Sequence, residues 1–519
     1  MQNQLERTQK IAKNTLLLYV RMLFSMLVSL YTSRVILNTL GIEDYGIYNV
    51  VGGIVSMFAL ISASLSASVS RFLTFELGTG NITKLKKVFS ASLLIHFILA
   101  SIILVCAESI GVWFLNTYMN IPADRMYAAN WVFQFSVFSF IIGIVSIPYN
   151  ASLISHERMS FYAIIGFLEV GLKLVIVLSL AYISYWTDKL IAYSLMLVCS
   201  GLFLQCVYLY YCKKNFEECQ FQKKNDIGLL KEMIGFAGWN FIGASSAILR
   251  EQGGNIILNW FGGPSLNAAR AIALQVNGAV TNFVSNFMVS LNPQITKSYA
   301  AGEHAYMISL IYRGARFSFY LLLFLSLPIL MNTTYVLTLW LNIVPEHVVL
   351  FVRLVLIFSM CESISNPLIT AMLATGNIRN YQIIVGGLQM MNLPISYLLL
   401  RLGFFPEIIL VVAITLSLCC LCARLLLLRG MVGLSVKSYI LHVLMNVVVV
   451  SIFSLIVPLL FSGYLRDGFS NFLLSCIICV ICAGITIYYI GCTRGERHFI
   501  KEKALAFGNR ILKNDSFKQ

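Results

Sequence analysis

Residues 88–112 read VFSASLLIHFILASIILVCAESIGV and follow directly on Lys84, Lys86 and Lys87. A helix needs about 20 apolar residues to cross a hydrocarbon core roughly 30 Å thick, and this stretch has that length. The lysines before it mark a cytoplasmic end, because loops on that side retain Lys and Arg. The same pattern recurs about fourteen times, so nearly all of the chain is used by such segments. Spans are expected near 14–37, 47–70, 88–112, 128–150, 161–184, 189–212, 233–259, 268–292, 314–333, 348–372, 383–402, 407–428, 440–462 and 470–492. Composition leaves no room for a soluble fold: of 519 residues 59% are hydrophobic and 11% charged, with a mean hydropathy of +0.82.

Cations cluster in alternate connections: Arg71 with Lys84, Lys86 and Lys87; Arg158; Lys213, Lys214, Lys223, Lys224 and Lys231; Lys297, Arg313 and Arg316; Arg379; Arg429 and Lys437. Both termini join this set, and the opposite loops hold little beyond Arg125, Lys189 and Arg466. Both ends are therefore expected inside, which requires an even number of spans. The net charge of +15 is topological signal and headgroup contact; nucleic acid is not an expected partner. The first apolar segment is too long for a cleaved leader and is expected to stay. The 13 cysteines lie mostly inside spans without His or acidic neighbours, so they read as packing residues and no metal is expected.

The chain repeats itself weakly. Ile36-Leu37-Asn38 and Gly41 recur as Ile257-Leu258-Asn259 and Gly262; Thr74 and Gly80 recur as Thr296 and Gly302; Pro148, Tyr162, Ile164 and Ile165 recur as Pro367, Tyr381, Ile383 and Ile384. The offset of about 220 residues spans six helices, which makes the repeat parallel. The expected organisation is an N-terminal lobe over 1–212, a basic cytoplasmic linker over 213–232, a C-terminal lobe over 233–428, two extra helices over 429–492 and a basic tail over 493–519, with a path between the lobes.

Polar side chains inside a span are costly and normally face an interior or a watery cavity. Asn14, Arg21, Ser25, Ser29 and Thr32 fall within about 80° of one another on the first helix. The seventh carries Asn240, Gly243, Ala247, Glu251 and Asn255 on one narrow face, flanked by Arg250; the eighth carries Arg270, Asn277, Thr281, Ser285 and Asn292. The ionisable residues at membrane depth are Arg21, Arg34, Lys173, Arg250, Arg270, Arg353, Arg401 and Arg424 against Glu108, Glu169, Glu251 and Glu362. This cationic excess suggests an anionic ligand. Arg401 and Arg424 are near enough to helix ends to snorkel, and Glu169 with Lys173 has the i,i+4 spacing of a self-neutralising pair. No nucleophile–base pair, acid–base pair or phosphate-binding loop is visible, so no enzyme and no cofactor are expected.

Ser33-Arg34-Val35-Ile36-Leu37-Asn38-Thr39-Leu40-Gly41 with Asp44-Tyr45-Gly46-Ile47-Tyr48, then Arg71-Phe72-Leu73-Thr74, Phe236-Ala237-Gly238-Trp239-Asn240, Asn292-Pro293-Gln294-Ile295 and Ser298-Tyr299-Ala300-Ala301-Gly302 resemble the bacterial polysaccharide flippases of the multidrug/oligosaccharidyl-lipid/polysaccharide exporter superfamily. The resemblance runs from about residue 8 to 440. It implies an all-α inner-membrane protein with twelve core helices in two lobes plus two more. It also implies transfer of undecaprenyl-diphosphate-linked oligosaccharide between leaflets and a central cavity carrying cations. Expected substrate contacts are Arg21, Arg250 and Arg270, with Arg34 and Arg353 weaker, and Asn240, Asn255 and Asn277 on the polar faces; Glu169, Glu251 and Glu362 are the candidates for ion coupling. Partners implied are the lipid-linked oligosaccharide, membrane lipids and polymerase or assembly proteins, around a monomer. The alternatives are an ion-coupled drug exporter of the same superfamily, which predicts excess carboxylates, and a cell-envelope sugar polymerase or acyltransferase, which predicts a large external loop.

Overall fold

The computed structural model describes residues 2–56, 59–119, 121–180, 188–220, 226–341, 344–462, 468–498 and 501–502, and every regular element among them is helical. In chain order the helices are α1 (Gln2–Ser56), α2 (Ala59–Thr79), α3 (Ile82–Cys106), α4 (Val112–Tyr118), α5 (Met126–Ser155), α6 (Met159–Leu180), α7 (Lys189–Asn215), α8 (Ile227–Ala300), α9 (His304–Met331), α10 (Thr333–Leu341), α11 (Val348–Thr375), α12 (Arg379–Met390), α13 (Asn392–Arg401), α14 (Ile408–Val432), α15 (Val436–Tyr439), α16 (Met445–Ser462) and α17 (Phe469–Thr486). Starts and stops follow local chemistry. Asn81, Asp188 and Asp226 accept bonds from the first free amides of α3, α7 and α8, and α14 stops at Gly433, whose φ of 70° suits a residue without a Cβ.

Eleven helical stretches among the described residues are long and apolar enough to cross a membrane. They coincide with eleven of the expected spans. The other three, 47–70, 233–259 and 268–292, are helical over their described residues. Large apolar side chains such as Leu27, Val105, Leu426 and Leu460 are more than 60% exposed, as lipid-solvated positions are. The chain is a multi-pass membrane protein.

One difference from the sequence reading concerns the breaks expected at 38–46 and 260–267, through which α1 and α8 remain helical. A straight helix of 74 residues would measure about 110 Å, more than three bilayer cores. The chain nevertheless reverses inside both. Arg270 Nη1 lies 2.8 Å from the Glu251 carbonyl, although 19 residues separate them. In α1, Lys10 bonds Glu157 while Asp44 meets Arg125, at the two opposite ends of α5, and Thr74 of α2 is back at Ser155. A chain that reverses must break its i→i−4 ladder at the turn, so each of α1 and α8 is one helix abutting the next with no loop between, which keeps the number of unsatisfied amides at the turn small.

The chain divides into two compact units. The first comprises 1–246, 289–307 and 370–383, the second 247–288, 308–369 and 384–519. In the first unit, α1 packs along α6, and α5 against α2, α3 and α7. Its core includes Val51, Leu115, Ala129, Val132, Phe133 and Leu190, all fully or nearly buried. In the second, Ile257, Leu400, Ile408 and Val412 form one core cluster, and Leu327 of α9 with Cys479 and Ala483 of α17 another, with Leu455 of α16 packed against it.

The repeat is visible in the helix boundaries. Helix starts at Ile82 and His304, Met126 and Val348, Met159 and Arg379, and Lys189 and Ile408 are separated by 219 to 222 residues. Gly80 and Gly302 precede equivalent helices with φ of 73° and 75°, and Pro148 and Pro367 lie within equivalent helices.

Candidate functional site

Arg21 is half-buried on α1 and lies flat against α6. Its guanidinium carbon sits 4.3 Å from the centre of the Tyr162 ring, and its stem fills the space over Gly166, where any Cβ would come within 2.5 Å of Arg21 Cδ. The phenol of Tyr208 on α7 is within electrostatic reach of Arg21, Tyr162 and Glu169. Glu169 accepts from Lys173 Nζ at 2.8 Å, the expected i,i+4 pair. Asn14 is buried two turns before Arg21 on the same face, and Thr15 bonds Ser290 of α8 at 2.7 Å. Asn240, in the same unit, accepts a long bond from Gln382 Nε2 at 3.4 Å; Gln382 packs directly over Gly243. The Arg34 side chain lies outside the described residues.

In the second unit the structure brings three of the expected residues together. Arg270 is buried and donates from Nη1 to Asn255 Oδ1 at 2.5 Å and to the Glu251 carbonyl, with its guanidinium 3.0 Å from where a Cβ on Gly254 would sit. Arg270 therefore ties the two arms of the α8 reversal to each other. Arg250, within electrostatic reach of Arg270, lies 5.0 Å from the centre of the Phe358 ring. Glu362 accepts from the Ser417 hydroxyl, and both Glu362 and Arg250 act on the Cys420 thiol. Asn277 Oδ1 is buried without a hydrogen-bond partner among the described residues. Arg353 is exposed and donates from Nε to Thr333 Oγ1 at 3.2 Å, apart from the Arg250 group.

Neither Arg21 nor Arg250 makes an ion pair among the described residues; each rests on an aromatic ring instead. A ring face satisfies a cation only in part, so both guanidiniums retain donors for an incoming anion. No cluster of three His, Cys, Asp or Glu able to hold a metal ion occurs among the described residues.

Three polar clusters escaped sequence reasoning because their members are far apart in the chain. Glu157, in the α5–α6 turn, is 3% exposed and binds Lys297 at 2.7 Å, Lys10 at 2.9 Å and Gln294 at 2.6 Å. Burial pushes its carboxyl up, but the two lysines outweigh that and hold it below the usual range. At the other end of the same unit, Arg125 joins Asp44 and Asp188. Its Nε donates to Asp44 Oδ1 at 2.9 Å and its Nη1 to Asp188 Oδ2 at 2.6 Å, and these bonds hold the cation more firmly charged than usual. Arg71 is inserted among Phe72, Phe75 and Phe236 and donates to the Ala374 carbonyl at 3.1 Å. The only early signal was that Arg71, Phe236 and Asp44 belong to the stretches quoted above.

The family model for polysaccharide biosynthesis proteins matches residues 11–299. Among curated proteins, the uncharacterized membrane protein EpsK of Bacillus subtilis (strain 168) is 20% identical over 282 residues, 54% of this chain and 55% of that protein. The match thus spans about half the length of that relative. Among solved structures, an outward-facing multidrug resistance MATE family transporter of the MOP superfamily aligns with a TM-score of 0.71 at 13% identity, over 82% of this chain and 96% of the other. A MOP superfamily transporter from Pyrococcus furiosus Vc1 (DSM3638), described by a binding pocket of reverse polarity, aligns at 0.70 and 13% over the same shares. At such identities the likeness establishes the MATE-like transporter fold alone.

Proposed function

The chain belongs to the polysaccharide biosynthesis protein family, and from that premise we propose that this membrane transporter is a flippase for undecaprenyl-diphosphate-linked oligosaccharide. It moves the glycan from the cytoplasmic to the periplasmic leaflet of a bacterial inner membrane by alternating access, and supplies surface polysaccharide synthesis. The observation that carries the reading is that Arg21, in the first unit, and Arg250, in the second, each lie at membrane depth against an aromatic ring, Tyr162 and Phe358, and make no ion pair among the described residues. A diphosphate offers bidentate oxygens to such groups. Polar faces with Asn240, Asn255 and Asn277 hydrate the sugars, and the polyprenyl tail stays in lipid. Arg270 is bonded within the α8 reversal, so its part is to shape the site beside Arg250.

The cycle needs no ATP. Moving one charge across 100 mV is worth about 2.3 kcal/mol, so a diphosphate with roughly two negative charges gains about 4–5 kcal/mol on leaving a negative-inside cell. That sustains a gradient of roughly a thousandfold, at about 1.4 kcal/mol per factor of ten. Coupling through Glu169, Glu251 or Glu362 is not required by this arithmetic. An ion-coupled drug exporter of the same fold is the alternative. It needs a carboxylate free to bind a cation; Glu169 is paired with Lys173 and Glu362 accepts from Ser417, so that reading falls on Glu251.

The test is polymer export in a deletion strain. Arg21→Ala and Arg250→Ala abolish export while the protein still inserts, and the lysine variants retain part of it, since Lys keeps the charge and loses the fork. Normal export by both alanine variants refutes the reading.

A further inference from the structure

Three stretches that the flippase reading leaves unused meet at one place in the first unit: Arg71-Phe72, Phe236 to Trp239, and the turn Ala374-Thr375-Gly376-Asn377 with Arg379. They line a half-open pocket of about 180 Å³. Phe72 and Phe236, edge to face at 5.8 Å, and the Trp239 indole form its aromatic side. Glu232, Asn377 and Arg379 stand on its polar side, with the Arg379 guanidinium 5.5 Å over the Trp239 ring. The turn is fixed from beneath. Gly376 has φ of 79°, a Cβ there would meet Arg71 Nη2 at 2.5 Å, and the same Nη2 bonds the Ala374 carbonyl. Only glycine allows the turn to close over Arg71 in this way.

We infer that this cavity is a sugar-reading subsite, taking one neutral pyranose ring of the lipid-linked glycan at the lysine-bearing end of the molecule; the inference rests on the flippase reading. An anion would meet Glu232, a cation would meet Arg379, and a purely apolar ligand would make no use of the polar side. A pyranose matches both sides, since its C–H face packs on an indole while its hydroxyls both donate and accept. A carboxylate takes two neighbouring hydroxyls, a guanidinium donates to hydroxyl oxygens, and the Asn377 amide does both. The volume lies below the roughly 300 Å³ at which drug-sized sites begin, which suits one ring and not a chain. Beyond Glu232, which lines both, lies a second cavity of about 570 Å³ bounded by Asn81, Thr83, Lys84, Lys87 and Asp226. Further sugar units extend into it. The subsite acts before transfer by selecting which glycan is loaded.

The experiment uses the full chain in detergent micelles, with the methyl glycosides of glucose, galactose and N-acetylglucosamine as probes read by saturation-transfer NMR. At least one probe binds the wild type; Trp239→Ala and Glu232→Gln weaken it at least tenfold, and Trp239→Phe restores most of the signal because it keeps an aromatic face. The restoration separates stacking from misfolding. No signal from any probe, or signals unchanged in Trp239→Ala, overturns the subsite. Reconstituted vesicles then separate a lipid-linked from a soluble sugar source. Trp239→Ala alters the ratio of flipping rates between two lipid-diphosphate glycans that differ in one sugar; an unchanged ratio overturns the inference while the flippase reading stands. A wild type that moves neither glycan refutes the flippase reading itself.

Discussion

Replacing Glu157 by Ala, Gly and Gln separates two effects that meet at one residue. The carboxylate is 3% exposed, and its partners Lys297 and Lys10 are 25% and 50% exposed. Breaking a fully buried ion pair costs about 3–5 kcal/mol, and the exposure of the two lysines reduces the expected loss to about 2 kcal/mol. Backbone strain adds an opposite contribution, since Glu157 has φ of 57°, a conformation that costs a non-glycine residue about 1–2 kcal/mol. Glycine relieves that strain and alanine does not. Glu157→Ala should therefore lose about 2 kcal/mol and Glu157→Gly about 1 kcal/mol. If the loss falls on the unfolding rate, the thermal-inactivation half-life in detergent shortens roughly 30-fold for Ala and roughly 5-fold for Gly. The depressed carboxyl also fixes the sign of the pH dependence. Its contribution is complete above the ordinary value of 4.5 and disappears as pH falls through the lower folded value, so the wild type shows an acid limb of falling stability that Glu157→Gln lacks. A glycine variant that inactivates as fast as the alanine variant removes the strain argument, and a Gln variant as long-lived as wild type removes the ionic one.

Further expectations concern orientation, the Arg21 seat and energy coupling. With reactive thiols removed, Tyr118→Cys reacts with an impermeant thiol reagent in intact cells and Lys223→Cys does not; the reverse pattern refutes the inside termini. Gly166→Ala pushes Arg21 off Tyr162 and should lower flipping about as far as Arg21→Lys while insertion is unchanged, and wild-type flipping would mean that Arg21 needs no defined seat. Neutralising Glu169, Glu251 or Glu362 singly leaves substantial flipping in vesicles, and an imposed potential drives it with no proton or sodium gradient. Transport that instead follows such a gradient at zero potential, and fails when one of these glutamates becomes Gln, identifies a coupling site and refutes transfer driven by the membrane potential alone.

The fold was legible because bilayer solvation acts on every residue of a span. Residues 88–112 announce themselves by length and flanking lysines alone, and eleven such segments carry spanning helices. The reversals inside α1 and α8 were read as breaks because polar, glycine-bearing stretches usually end a helix. Here one helix abuts the next without an intervening loop, and only contacts such as Arg270 to Glu251 show the turn. The site was legible in part. Helical periodicity put Arg270 and Asn255 on inward faces, and the structure joins them. It could not show that Arg21 would find Tyr162 and Gly166, since a face gives a direction and not a partner. Glu157 was invisible for the same reason: its lysines come from residues 10 and 297.

The duplication explains which features a fixed-offset comparison can detect. Gly80 and Gly302 keep matching positive φ, and Pro148 and Pro367 keep matching places, because backbone geometry at a helix boundary admits few residue types. Glu157 and Gly376 lie at the same offset and share the left-handed conformation, with φ of 57° and 79°, yet share no chemistry. In the first copy the turn carries a buried carboxylate that collects two lysines; in the second it carries no side chain and admits Arg71 beneath it. A comparison of residue types scores this pair as a mismatch although both turns take a positive φ. Side-chain chemistry at equivalent turns was free to diverge once the backbone was fixed, and each copy used its turn differently: one ties α1 and α8 to the α5–α6 connection through Glu157, and the other shapes the cavity beside Trp239.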